Sequence, residues 1–289
     1  MTENPAPLDL PVRPSRLRVA HLAQSLRAIV MRELLKFSRQ YGRLISALVR
    51  PVLWLAVFAA GFRNVFGVAI VEPYDTYIPY DVYIAPGLIG MVLLFNGMQS
   101  SLAMVYDREM GVMRLLLTAP LPRPWLLFAK LVATSVLSLL QALAFVIVAA
   151  LIGTQLPFFG PQLPMTLLAT TAVAVMLGAL GLLLSVYIRQ LENFAGTMNF
   201  VIFPMYFLST ALYPLWKLEE SGARWVYELA RFNPFTHAVE WIRFALYGKD
   251  PGLAPWIVLG CGLIFFVIAC AGYDPQRGFG SLTKRGGGG

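Results

Sequence analysis

The chain has 289 residues and a net charge of +8, yet only 13% of its residues are charged and 58% are hydrophobic. Soluble domains carry about a quarter charged residues, and so short a chain has no soluble core able to hide this much apolar surface, whereas a bilayer accepts it. The composition excludes a soluble fold, and because the basic residues flank apolar stretches instead of covering one face, it sets nucleic acid aside as a partner.

Residues 1–14 are polar and Pro-rich and read as a disordered cytoplasmic tail; no apolar h-region precedes residue 40, so no secretory signal is expected. Within 15–43, Val19, Leu22, Leu26, Ile29, Val30, Leu34 and Phe37 recur at helical spacing between Arg16, Arg18, Arg27, Arg32, Lys36 and Arg39. That pattern predicts a basic amphipathic helix lying in the headgroup plane. The remainder to residue 273 reads as one transmembrane domain. A span needs about 20 mostly apolar residues, and 44–66, 83–105, 125–153, 165–188, 194–213 and 253–273 meet that need. Arg50, early in the first span, is expected to snorkel back to the headgroups.

With the amino terminus inside, Arg108, Arg114, Arg123, Lys130, Arg189, Arg277, Lys284 and Arg285 are inside as well. The positive-inside rule therefore predicts that both termini, including the tail 274–289, are cytoplasmic. The first outer loop carries Tyr74, Tyr77, Tyr80 and Tyr83, as interfacial belts do. Residues 214–252 are too polar to span and too aromatic for a plain loop. They predict two short amphipathic helices broken at Asn233-Pro234, which dip into the outer leaflet or cap the bundle.

The spans lack Asp, Glu and His, so neither an ion-coupled pump nor an intramembrane enzyme finds its residues there. No G-x-x-x-x-G-K-[ST] phosphate loop is present. Cys261 and Cys270 lie together in the last span and read as small hydrophobes, without a metal site. Uphill transport would need energy from another polypeptide, which points to a permease subunit. The cytoplasmic loop 106–124 contains Met110, Met113, Leu116 and Leu117 on one face of a short helix opened by Asp107 and stopped by Pro120, Pro122 and Pro124. Two readings of that face stay open: docking in a partner's groove, or lying on lipid.

The run Tyr106-Asp107-Arg108-Glu109 through Pro120 and on to Lys130 resembles the cytoplasmic coupling-helix signature of ABC-2 type transporter permeases. Tyr213-Pro214-Leu215, followed by Asn233-Pro234-Phe235-Thr236-His237-Ala238-Val239-Glu240 and Arg243, resembles that family's outer re-entrant signature. The stretch Leu218-Glu219-Glu220-Ser221-Gly222 departs from the Leu-Pro pattern of many relatives.

The resemblance implies an all-α membrane protein of six transmembrane helices, with an interfacial helix, a coupling helix and an outer re-entrant pair. It implies the permease half of an ATP-driven exporter, working as a homodimer or with a related permease on two copies of a separate ABC ATPase. That ATPase would hold ATP and Mg, and this chain no cofactor. Asp107, Arg108, Glu109, Met110, Met113, Leu116 and Leu117 would couple to the motor. Asn233, Pro234, Glu240 and Arg243 would form an outer gate. Asn96, Gln99, Asn199, Phe203, Tyr206 and Phe207 would line the path, unless they serve only helix packing. Gly178 and Gly181 read as close-packing glycines. A bacterial inner membrane is the expected location, and the aromatic residues suit a lipophilic or glycan-bearing substrate. A channel or scaffold working without ATP is the alternative reading.

Overall fold

The computed structural model describes residues 19–39, 41–62, 72–75, 78–110, 121–154, 156–188, 190–220 and 222–273. Among these, regular structure is helical: α1 (Val19–Ser38), α2 (Tyr41–Phe62), α3 (Tyr80–Glu109), α4 (Arg123–Ile152), α5 (Leu163–Tyr187), α6 (Leu191–Phe207), α7 (Leu215–Glu220), α8 (Arg224–Phe232), α9 (Pro234–Leu246) and α10 (Ala254–Gly272). Sequence punctuation explains many of the ends. Pro79 precedes α3, Pro122 and Pro124 open α4, and Gly153 closes α4 in the left-handed conformation that glycine adopts without strain.

Helix α3 is the axis of the bundle. It is apolar on all sides and packs against α2, α4, α5, α6 and α9, so residues from Val82 to Met98 are buried in every direction. Helix α5 is the second hub, touching α3, α4, α9 and α10. The two hubs meet backbone to backbone at Gly97 and Gly181. A methyl group on Gly181 would lie 2.5 Å from Ser101 Oγ and 2.7 Å from the Gly97 carbonyl oxygen. Gly178 is similarly tight against Leu131 of α4, at 2.9 Å. Small residues at these points let dispersion contacts form along whole helices, which is the main attraction between helices in lipid.

Among the described residues, four helices are long and apolar enough to cross a membrane: α3, α4, α5 and α10. The expected first and fifth spans differ from them. In α2 the apolar part, Leu48–Val57, is short and contains Arg50. Helix α6 has 17 residues, about 26 Å, and stops at Phe207 although the apolar run continues to residue 213. The reason is visible in its last carbonyls. Asn233 Nδ2 donates to Met205 (2.7 Å) and Leu208 (2.6 Å), Ser209 Oγ donates to Tyr206 (2.6 Å), and the Tyr213 hydroxyl donates to Phe207. These side chains satisfy the carbonyls at the helix end, so the chain turns without leaving bare backbone oxygens.

Candidate functional site

The residues singled out by sequence gather at the two ends of the bundle and on the helix between them. At one end, α3 runs unbroken through Tyr106, Asp107 and Arg108 to Glu109. Asp107 therefore does not open a separate helix, contrary to expectation: no breaker interrupts the chain before it. Its carboxylate lies in the last turn of α3, where the helix dipole is unfavourable to negative charge, and it is 4% exposed. Three cations offset this, Lys130 Nζ at 3.5 Å, Arg32 at 3.7 Å and Lys36 at 3.9 Å. Lys130 also lies 3.5 Å from Glu33.

The amphipathic helix α1 is thereby held on the bundle by side chains that the sequence marks only as a basic stripe. Trp125 of α4 adds a hydrogen bond to Ser25 Oγ (3.0 Å), and Ile29 packs with Leu126 and Ala129. Its opposite side leaves Met31 and Leu35 half exposed.

Glu109 has a different partner. It accepts a hydrogen bond of 2.8 Å from the backbone N–H of Leu191, the first residue of α6. A carboxylate at a helix N-terminus satisfies an orphan donor and complements the dipole. Arg108 sits beside it in the last turn of α3, and Met110 is 60% exposed at the helix end. Met113, Leu116 and Leu117 lie outside the described residues.

At the far end, α8 and α9 meet at Asn233-Pro234, where the sequence sets the break. Pro234 occupies the first turn of α9, and Asn233 Oδ1 accepts from the Phe235 N–H (2.9 Å) while its amide nitrogen reaches the end of α6. One side chain thus starts α9 and ends α6. Arg243 is 3% exposed. It pairs with Glu240 at 3.3 Å, donates to the Thr210 carbonyl at 2.7 Å, and lies 4.2 Å over the Tyr83 ring. The Tyr83 and Tyr80 hydroxyls donate to Thr210 and Leu212 carbonyls.

Tyr80 and Tyr83, expected in a lipid-facing belt, instead bind the irregular turn after α6, because buried carbonyls there need donors. Tyr74 packs edge-on to Tyr247 at 4.8 Å. Its hydroxyl lies near Arg243 without meeting hydrogen-bond geometry. Burial pushes the Tyr74 hydroxyl above its ordinary range, with the Arg243 charge pulling back, and burial raises Tyr247 as well.

Between the ends, α6 presents Asn199, Phe200, Phe203 and Phe207 on its exposed face. Tyr206 points the other way, 1% exposed and 6.0 Å from the Phe235 ring. Asn96, at the middle of α3, donates to Ser138 Oγ (2.6 Å) and the Thr134 carbonyl (3.3 Å) of α4. Gln99 borders a small niche with Arg50, Asn96 and Gln141. Exposed Arg50 places its guanidinium 4.0 Å over the Phe95 ring, at the middle of α3, where the aromatic face attracts it. Sequence reasoning passed over Gln141, although a lone amide in a 30-residue apolar helix was signal enough.

The model of the ABC-2 type transporter family matches residues 24–247. Relatives include "Putative transport permease ycf38" of Porphyra purpurea, 29% identical over 230 residues that cover 79% of this chain and 76% of the relative. The ycf38 protein of Cyanophora paradoxa is likewise 29% identical, over 80% of this chain and 76% of its own. "Probable multidrug ABC transporter permease YbhR" of Escherichia coli (strain K12) is 28% identical over 62% of this chain and 47% of its own. The matched region runs from α1 through α9 and takes in both end clusters, and the chain is a multi-pass membrane permease that belongs to the ABC-2 type transporter family.

Proposed function

We propose that this chain is the membrane half of an ATP-driven exporter whose motor is a separate ABC ATPase. In this reading the loop 106–124 rests on the ATPase, two copies of which serve a pair of permeases, and ATP with Mg is bound by the motor subunits. Both termini face the cytoplasm of a bacterial cell, α2 and α6 complete six spans, and α7 to α9 form the re-entrant outer gate.

The observation that carries the reading is the placement of α6. Its N-terminus is held by Glu109, next to the coupling loop, and its C-terminus by Asn233, at the outer helix pair. A helix is stiff along its axis, so a displacement of the loop that moves Glu109 at the tip of α3 is passed along α6 to Asn233. Helix α6 packs principally on α3, with ring contacts to Trp54 of α2 and Phe235 of α9. Its exposed Asn199, Phe203 and Phe207 then line the path for a lipophilic or glycan-bearing cargo.

The test is capture of the ATPase by the purified permease in detergent. Burying an unpaired charge costs several kcal/mol, so Leu116→Glu is expected to lower ATPase retention by about a hundredfold or more while membrane insertion is unchanged. Retention at the wild-type level would mean that the loop helix lies on lipid, and would favour an ATP-independent channel or scaffold.

A further inference from the structure

Halfway along α3 and α4 the bundle contains polar groups that its own structure leaves unused. Gln141 is fully buried, and neither its amide nitrogen nor its oxygen has a hydrogen-bond partner. Asn96 spends its nitrogen on Ser138 and Thr134, and its buried Oδ1 is also without a partner. Both border one niche with Gln99, Phe95 and Arg50. Buried amides left unmatched are costly, and more so in a bilayer, so a niche with this lining is built to receive a polar group.

Its mouth carries the positive charge. Arg50 is exposed on α2, stacks on Phe95, and has no carboxylate within ion-pair distance among the described residues. An ionisable residue at this depth, facing a cavity, marks a functional site by default. On the same side of α2, three and seven residues on from Arg50, Leu53 and Val57 are exposed, the nearer part of an exposed apolar stripe that begins at Ile45 and Val49. The niche itself has room for little more than a water-sized group, so one oxygen of a ligand's head enters it while the rest stays at the exposed Arg50 mouth.

We propose that the Arg50–Gln99–Gln141 niche binds the anionic group of an amphiphile, a carboxylate or phosphate monoester, whose apolar chain lies along the exposed stripe of α2. Arg50 supplies the charge and a forked pair of donors. Gln141 and Gln99 supply amide N–H donors to the remaining oxygen lone pairs, and the Asn96 oxygen takes a proton donor of the ligand or a water beside it. The site stands on its own geometry; that its ligand is cargo and not a resident lipid rests on the transport reading above.

The experiment uses the full-length chain in nanodiscs of phosphatidylcholine, at a pH where the probes are ionised. Binding is measured for laurate and dodecyl phosphate, for their uncharged counterparts methyl laurate and dodecanol, and for acetate and inorganic phosphate. The wild-type chain is expected to prefer a long-chain anion over its neutral counterpart by about tenfold or more. Acetate and inorganic phosphate should bind far more weakly, because the stripe has nothing to hold; saturation by either alone would overturn the amphiphile assignment. Arg50→Gln should abolish the preference, Arg50→Lys should keep part of it, and Gln141→Leu should weaken the anion about fivefold.

Equal binding of anion and neutral counterpart by the wild-type chain overturns the proposal and needs no variant to fold. Preference surviving in Arg50→Gln overturns it also. ATP-driven efflux of the bound probe from proteoliposomes separates the two readings. Anion binding with no efflux keeps the site and removes the cargo assignment. Efflux of other compounds with no anion binding removes the site and keeps the transporter.

Discussion

The carboxylate of Glu109 and the backbone nitrogen of Leu191 are 82 residues apart in sequence and 2.8 Å apart in space. This bond joins the tip of α3 directly to the start of α6. Charge-assisted hydrogen bonds contribute about 1.5–3 kcal/mol, so Glu109→Ala is expected to reduce efflux by about tenfold or more. ATPase capture should persist, since the loop's apolar face is untouched. Glu109→Gln, which keeps an acceptor without the charge, should recover part of the loss. The measurement is efflux per ATP hydrolysed in proteoliposomes, and an unaltered ratio in Glu109→Ala would remove α6 from the coupling route.

That contact was invisible in the sequence for a plain reason. Hydropathy and periodicity report what each segment does alone, so they locate the apolar helices and the basic stripe of α1, and the Asn233-Pro234 break declares itself through the proline. Pairings across the bundle leave no such mark. Nothing near Arg50 foretells Phe95, and nothing near Asn233 foretells Met205. The end of α6 was misplaced for the same reason: residues 208–213 are apolar enough to continue the helix, and only the capping side chains of Asn233, Ser209 and Tyr213 stop it. Asp107 misled differently, because an acid that opens a helix and one that closes the preceding helix look alike in one dimension.

Asn233 and Pro234 can be separated by substitution. Pro234→Ala removes a conformational restriction, but the Asn233 cap of α9 and both bonds to α6 survive it. Asn233→Ala removes all three, about 1 kcal/mol for each bond and cap. Thermal unfolding in detergent should therefore fall by several degrees for Asn233→Ala and by much less for Pro234→Ala, and substrate-stimulated ATP hydrolysis should follow the same order. A larger effect of the proline would mean that the break, and not the link to α6, is what matters.

The approach of α3 and α5 gives a third expectation. Gly181→Ala places a methyl against Ser101 Oγ and the Gly97 carbonyl, and the second of these is backbone that has no rotamer to move. Overpacking of this kind costs about 1–3 kcal/mol. Gly260→Ala, with nothing within 4 Å of the added carbon, is the control. The comparison is the unfolding midpoint and monodispersity of each protein in detergent; equal midpoints would show that the two hubs have slack between them.

The anchorage of α1 has a consequence for how the protein is made. Ser25 and its partner Trp125 are 100 residues apart, and Arg32, Glu33 and Lys36 likewise find their partners on α3 and α4. At translation speeds of about 5–20 residues per second, α1 leaves the ribosome roughly 5–20 seconds before Trp125 and Lys130 exist to receive it. Until α3 emerges with Asp107, the partner of Arg32 and Lys36, and then α4 with Trp125 and Lys130, its basic face and apolar side rest mainly on the headgroup layer. The amphipathic pattern is thus a waiting place during synthesis as well as a feature of the finished protein, and a nascent chain arrested before α4 would hold α1 by lipid and the Asp107 ion pairs, without the Trp125 and Lys130 contacts.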